Sequence, residues 1–123
     1  MKGLDANGVL SSNVILATVP GAVELSSTAA KFASINKVDA VICLGAVIRG
    51  DTSHFDFVCH SVTQGITSVS VDYSLPVVFG VLTTDTLDQA IERASNNDQN
   101  KGLESAITAI EMATLFKAID GVS

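Results

Sequence analysis

Short apolar runs alternate with amphipathic segments along the chain. Three runs predict strands, namely VILATV at 14–19, VDAVICL at 38–44 and PVVFGVL at 76–82. The first stops at Pro20-Gly21 and the second at Gly45, residues that commonly end strands. Continuous apolar runs of this kind are typical of parallel strands buried on both faces.

Helices are predicted between and after these strands. The longest follows the second strand, where apolar residues recur every three or four positions, at Phe55, Val58, Cys59, Val62, Ile66 and Val69. Ser53 and Asp56 have the spacing of a capping box at its start. A shorter helix is expected from about residue 23 to 32.

Two further helices are predicted near the carboxyl terminus. Asp85 is expected to cap the first of them, on which Leu87, Ala90, Ile91 and Ala94 share a face. The last runs from about 103 to 118, with its inward face formed by Leu103, Ala106, Ile107, Ile110 and Ala113. The opening MKGLDANGV reads like the end of a helix that stops at Gly8. Alternating strands and helices predict right-handed crossovers and a three-layer α/β/α sandwich around a parallel sheet.

Composition narrows the functional classes. Of the 123 residues 47% are hydrophobic and 16% charged, so part of the surface is expected to be covered in an oligomer. A formal charge of -6 disfavours a nucleic-acid partner, and no apolar run approaches a membrane span. Cys43 and Cys59 are expected to be reduced core thiols. The first residues show no targeting pattern, which favours an intracellular compartment.

Candidate chemistry collects after the predicted strands, where parallel sheets bind ligands. PGAVE (20–24), GAVIRGDTSH (45–54) and FGVLTTD (79–85) all lie at strand ends. Gly50, Asp51, Thr52 and Ser53 precede a helix, so its free amides and two hydroxyls could bind a phosphate. The alternative, favoured on these residues alone, is that the hydroxyls only cap the helix.

Four further side chains have a functional and a structural interpretation. His54, beside a helix start and an arginine, suits proton transfer, but it could equally be a surface or capping histidine. Glu24 could accept hydrogen bonds from ligand hydroxyls or simply begin a helix. Arg93 could clamp a phosphate or lie on a solvated face. Phe79 is by default a core residue. No metal-ligand pattern is present in the sequence.

Taken together, the segments resemble the 6,7-dimethyl-8-ribityllumazine synthases of riboflavin biosynthesis. The matching motifs are PGAVE at 20–24, GAVIRGDTSHFD at 45–56, PVVFGVLTTDTLDQAIERA at 76–94 and NKGLESAITAIEMA at 100–113. The resemblance implies a flavodoxin-like domain over residues 1–123 and a transferase without a metal or organic cofactor. It would join 5-amino-6-(D-ribitylamino)uracil to 3,4-dihydroxy-2-butanone 4-phosphate through an imine, loss of phosphate and ring closure.

The resemblance also assigns residues to roles. It implies that Gly50, Asp51, Thr52 and Ser53 lie at the phosphate, with Arg93 reaching it from a neighbouring subunit, and that His54 moves protons. Glu24 would bind the ribityl hydroxyls with Ala22 and Val23 alongside. The heterocycle would lie against a wall formed by Ala46, Val47 and Ile48. From the adjacent chain, Phe79 with Val78 and Gly80 would contact it, as would Lys101.

Assembly and compartment follow from the same resemblance. Family members form a homopentamer, and some build a hollow icosahedral shell of twelve pentamers, with active sites between subunits. We expect a cytoplasmic enzyme, or a plastid one in a plant or alga. The family pattern also has an earlier strand and helix, so this domain is expected to be short at its amino-terminal end. The SNNDQ stretch at 95–99 lacks a lysine common in the family, and Val23 replaces a phenylalanine. The alternative is a catalytically impaired assembly or shell subunit.

Overall fold

The computed structural model describes residues 2–95 and 100–122. The helices and strands in chain order are α1 (Lys2–Ala6), α2 (Leu25–Ser34), β1 (Val41–Ile48), α3 (His54–Tyr73), β2 (Val77–Thr84), α4 (Leu87–Ala94) and α5 (Lys101–Asp120). Short 3₁₀ helices lie at Ser11–Asn13 and Ala22–Glu24. The predicted loop residues 96–99 lie outside the described part of the chain.

A parallel sheet lies at the centre. Within residues 2–95 and 100–122 it has two strands, with Val41 paired to Val77 at one end and Ile48 to Thr84 at the other. The Arg49 amide donates to the Thr84 carbonyl at 2.8 Å, so the pairing continues just past the end of β1. The carboxyl ends of the two strands are therefore side by side.

Helices cover both faces of this sheet. Cys43 and Val81 point to one face, where they form a buried cluster with Ala29 of α2 and Val62 and Ile66 of α3. Gly80 points to the other face, and a Cβ there would lie 2.6 Å from the Ser105 hydroxyl of α5. Helix α4 contacts β2 and α5. The predicted α/β class, with helices layered on a parallel sheet, is thus confirmed.

The strand predicted at residues 14–19 is wrong. This segment contains neither helix nor strand, and Ile15 and Leu16 are 62% and 80% exposed. A strand requires a hydrogen-bonded neighbour, and β1 pairs only with β2 in the described residues. Within the described residues the segment pairs with neither β1 nor β2, so it does not form a strand.

Several predicted boundaries and faces also change. The second strand does not end at Gly45 but continues to Ile48, since Gly45 pairs with Val81 and has ordinary room beside Leu25. Leu87 and Ile91, which share the predicted apolar face of α4 with the buried Ala90, are 60% and 55% exposed. Leu103 and Ile107 are also exposed, because α5 packs through the small side chains of Ser105, Ala106 and Ala109.

The predicted helix end at Gly8 is confirmed. Helix α1 finishes at Ala6, and Gly8 adopts a left-handed φ of 85°. The Val9 amide donates to Leu4 O at 3.0 Å and the Gly8 amide to Asp5 O at 3.1 Å. This is the hydrogen-bond pattern of a Schellman motif, in which glycine avoids the strain of a left-handed conformation.

Candidate functional site

The segment between β1 and α3, residues 50–54, is exposed at the carboxyl end of the sheet. The predicted capping box between Ser53 and Asp56 does not form, because Ser53 has helical backbone angles (φ -69°, ψ -2°) and its side chain accepts no capping hydrogen bond. Thr52 provides the local contact instead, since its hydroxyl accepts from the His54 amide at 3.3 Å. The Ser53 hydroxyl is thus not engaged in capping α3.

His54 is the first residue of α3, a helix that runs to Tyr73. Its side chain is exposed, as are Gly50, Asp51, Thr52 and Ser53. A helix start presents free amides and the positive end of the helix dipole. An exposed imidazole beside such a start can exchange protons with a ligand placed there.

A charged cluster closes the base of this segment. The Arg49 guanidinium donates to Asp85 Oδ1 through Nε at 2.7 Å and lies 3.5 Å from Asp56 Oδ1. Its Cζ atom lies 4.5 Å from the ring centre of Phe55. We call these four residues the Arg49 cluster. The hydrogen bond that Arg49 donates to Asp85 raises the pKa of Arg49 above its ordinary value, so the guanidinium stays charged.

The cap of α4 differs by one residue from the prediction. Thr86, not Asp85, is the N-cap, and it forms a capping box with Gln89. The Thr86 hydroxyl accepts from the Gln89 amide at 3.2 Å. Asp85 is therefore left to pair with Arg49, a contact that sequence reasoning missed. The available signal was that both residues directly follow neighbouring parallel strands.

The PGAVE segment lies at the start of α2. Ala22 is half-buried against the cluster of buried residues between the sheet and helices α2 and α3, whereas Val23 and Glu24 are exposed. The Glu24 carbonyl accepts from the Thr28 hydroxyl at 2.9 Å and from the Ser27 hydroxyl at 3.2 Å. The Glu24 carboxylate therefore remains at the surface while its backbone begins the helix.

Residues 46–48 divide between the two faces of β1. Val47 is half-buried and packs against the same buried cluster as Ala22. Ala46 and Ile48 are exposed on the opposite face, because successive strand residues alternate. Val47 of the GAVIRGDTSHFD motif thus packs near Ala22 of the PGAVE motif, whereas Ala46 and Ile48 point away from Ala22.

Phe79, Arg93 and Lys101 border two grooves along the outer edge of β2. The first groove, of about 630 Å³, is lined by Phe79 and Arg93 and by the whole Arg49 cluster, with Cys59 and His60 of α3. The second, of about 290 Å³, is lined by Phe79 and Lys101, with Ser70, Val78, Ser105 and Phe116. Phe79 is half-buried between them. The Lys101 Nζ lies 3.4 Å from Glu104 Oε1.

The predicted site residues therefore form two groups. Residues 22–24, 46–48 and 50–54 line neither of these grooves, whereas Phe79, Arg93 and Lys101 do. The first group lies around β1 and the starts of α2 and α3. The second lies on the outer edge of β2 and on α4 and α5.

The remaining reactive groups lie elsewhere. Cys43 is buried, and this burial raises the pKa of its thiol to about 11. Cys59 is half-buried, and burial followed by the charge of Asp56 raises its pKa. No group of three His, Cys, Asp or Glu side chains within residues 2–95 and 100–122 is placed to hold a metal ion. No helix in that part of the chain has the length and apolar character needed to cross a membrane.

The chain matches the family model described as 6,7-dimethyl-8-ribityllumazine synthase over residues 1–117 of its 123. That match includes β1, β2, both grooves and the segment 50–54. The chain therefore belongs to the 6,7-dimethyl-8-ribityllumazine synthase family, a family of transferases in riboflavin biosynthesis.

Proposed function

We propose that this chain condenses 5-amino-6-(D-ribitylamino)uracil with 3,4-dihydroxy-2-butanone 4-phosphate to give 6,7-dimethyl-8-ribityllumazine, phosphate and water. The observation that carries the proposal is the family match over residues 1–117. The exposed His54 at the start of α3 and the uncapped Ser53 hydroxyl beside it support it. Both groups are free to meet a substrate.

The phosphate is assigned to segment 50–53. The free amides at the start of α3 can donate to its oxygens, and the Thr52 and Ser53 hydroxyls can add further donors. The guanidinium of Arg93 matches two phosphate oxygens at once. Because segment 50–53 does not line the groove that Arg93 of α4 borders, we assign that contact to a neighbouring copy of the chain.

His54 is assigned to proton transfer. The amine of the uracil attacks the ketone carbon, and loss of water from that adduct gives an imine. His54 can take a proton from the attacking nitrogen and return one to the departing oxygen. The same imidazole can remove the carbon-bound proton whose loss accompanies departure of phosphate. The enol left by phosphate loss tautomerises to a ketone, and the second amine attacks this ketone and loses a second water to close the ring.

The other residues hold the uracil substrate. Glu24 accepts hydrogen bonds from ribityl hydroxyls, with Ala22 and Val23 beside it. The heterocycle lies against the backbone of Ala46, Val47 and Ile48, since their side chains point to alternate faces of β1. Phe79 and Lys101 contact the same substrate from an adjacent copy. Because one copy supplies only part of the site, this scheme requires assembly, as a pentamer or a shell of pentamers. The assembled site can then lower the barrier by roughly 7 to 11 kcal/mol by positioning the two reactants.

The direct test mixes the purified full chain with both substrates and follows lumazine absorbance and fluorescence. Product formation that falls by at least about a hundredfold in His54→Ala supports the scheme, since general acid–base groups contribute roughly 10² to 10⁴ in rate. His60→Ala is the matched control, because His60 is also exposed on α3. Absence of product at high protein concentration would contradict the proposal.

A second candidate function is assembly with impaired turnover. The exposed apolar residues Ile15, Leu16, Leu87 and Ile91 support its assembly, because contacts between copies would cover them, and assembly by itself needs no turnover. Native mass measurement separates the candidates. A pentamer or shell without turnover supports the second, and an assembled chain that forms product supports the first.

A further inference from the structure

The Arg49 cluster joins three parts of the chain at the carboxyl end of the sheet. Arg49 directly precedes segment 50–54, Phe55 and Asp56 directly follow it, and Asp85 follows β2. The guanidinium contacts all three partners, at 2.7 Å to Asp85, 3.5 Å to Asp56 and 4.5 Å to the Phe55 ring centre. The two ends of the segment are thus held together by one side chain.

The cluster is poorly suited to stabilising the fold. The side chains of Arg49, Asp56 and Asp85 are 46%, 65% and 66% exposed. Exposed ion pairs contribute little to the free energy of unfolding, because water screens them. The pairing of β1 with β2 past Ile48 also uses the Arg49 backbone amide, which any substitution retains.

The charges of the Arg49 cluster affect the binding of an anion at segment 50–54. One guanidinium faces two carboxylates, so the cluster carries a net charge of -1 beside a segment proposed to bind a phosphate. Without Arg49 the same place would carry -2, since Asp56 and Asp85 would remain. Two carboxylates this close to an anion site oppose its occupation.

We propose that Arg49 is a positioning residue for phosphate binding, which holds the base of segment 50–54 and shields it from the Asp56 and Asp85 carboxylates. This inference rests on the proposed function, because it takes segment 50–54 as the phosphate site. Arg49 itself is not assigned a contact with the substrate. It acts through the position of the segment and through the two neutralised carboxylates.

The first measurement uses inorganic phosphate as the ligand. Its dissociation constant is taken from the rise in thermal midpoint of the full chain in sodium phosphate, against sodium chloride at equal ionic strength. Arg49→Ala should weaken phosphate binding by about tenfold, the size expected for one charge at a partly solvated distance. The double variant Arg49→Ala/Asp85→Asn should recover much of that loss, because it removes one repelling carboxylate.

The matched control breaks another exposed ion pair. Lys117 lies 3.4 Å from Asp39, and both side chains are 68% exposed. Asp39 precedes β1, so this pair lies at the opposite end of the sheet from segment 50–54. Lys117→Ala should leave the phosphate dissociation constant within about twofold of wild type, since its charge is far from the site.

Turnover provides the second measurement. In Arg49→Ala the KM for the butanone phosphate should rise by about tenfold while the KM for the uracil substrate changes by less than about twofold, because the lost charge acts on the phosphate. A general loss of structure would change both values.

If wild type binds phosphate and Arg49→Ala binds it equally well, the role of Arg49 is wrong while the proposed function stands. Failure of the Asp85→Asn rescue overturns the shielding. If wild type neither binds phosphate nor forms lumazine, the proposed function and this inference fail together.

Discussion

Replacement of Gly80 by alanine tests how closely α5 packs on the sheet. A Cβ at this position would lie 2.6 Å from Ser105 Oγ, 2.7 Å from Leu44 Cδ2 and 3.0 Å from the Cys43 carbonyl oxygen. Leu44 is 54% exposed and can rotate away. Ser105 is 2% exposed and its hydroxyl donates to Lys101 O at 2.7 Å, so it cannot. Relief of the Ser105 contact therefore requires α5 to move outward, and relief of the Cys43 contact requires a shift of the β1 backbone.

The expected cost follows from two opposing effects. Overpacking of a well-packed core costs roughly 1 to 3 kcal/mol. Alanine in a strand is favoured over glycine by roughly 0.5 to 1 kcal/mol. We therefore expect Gly80→Ala to lower the free energy of unfolding by about 1 to 2 kcal/mol. With a urea slope of about 1.5 kcal/mol per molar, the midpoint should fall by about 1 M.

Urea unfolding followed by far-ultraviolet circular dichroism measures this change, since the chain has no tryptophan and one tyrosine. Protein concentration is kept equal because assembly shifts midpoints. Gly45→Ala is the control, as its Cβ would lie 3.6 Å from Leu25 Cδ1, an ordinary contact. Adding Ser105→Ala to Gly80→Ala should recover part of the loss. A Gly80→Ala chain as stable as the Gly45→Ala control would refute the reasoning.

Three further changes have defined outcomes. Ser74 ends α3 with a left-handed φ of 50°, so Ser74→Gly should raise the unfolding free energy by up to about 1 kcal/mol in urea titrations, and no gain would contradict that strain. The buried Cys43 thiol has a pKa raised to about 11. Its unfolded form loses the proton first as pH rises, so stability is complete below about pH 9 and falls through pH 11. The decline in urea midpoint with pH should shrink in Cys43→Ala. Arg93→Ala should raise the KM for the butanone phosphate by roughly tenfold or more, as expected for a lost charged hydrogen bond, with Lys31→Ala as an exposed control. An unchanged KM would argue against phosphate binding by Arg93.

Most helices and two of the three strands could be predicted from the sequence. The apolar positions of α3 lie every three or four residues, and Val62, Ile66 and Val69 are indeed buried. Residues 14–19 have an equally good strand composition but no sheet neighbour. Pairing is a property of the tertiary structure, so composition alone could not reveal that difference.

The sequence predicted where the site lies, at the carboxyl ends of the strands, better than it predicted which side chains contact each other there. The predicted strand ends indicated residues 49–53 and Asp85 as candidates. They did not indicate that Arg49 pairs with Asp85. The capping prediction at Ser53 was wrong because the backbone there is already helical, a local angle that the residue types do not determine. That Phe79 and Arg93 line a groove to which residues 22–24 do not contribute likewise depends on how β1 and β2 are arranged.

The β1–β2 pairing also determines how this chain folds. Val41 pairs with Val77, 36 positions later (77 - 41), and α3 forms most of the connection between the two strands. The buried cluster between α3 and the sheet is therefore assembled largely from a contiguous stretch of chain, which shortens the search for native contacts. We expect amides in the middle of this strand–helix–strand unit to exchange with deuterium only on global unfolding, and those of residues 15–19 within the native state.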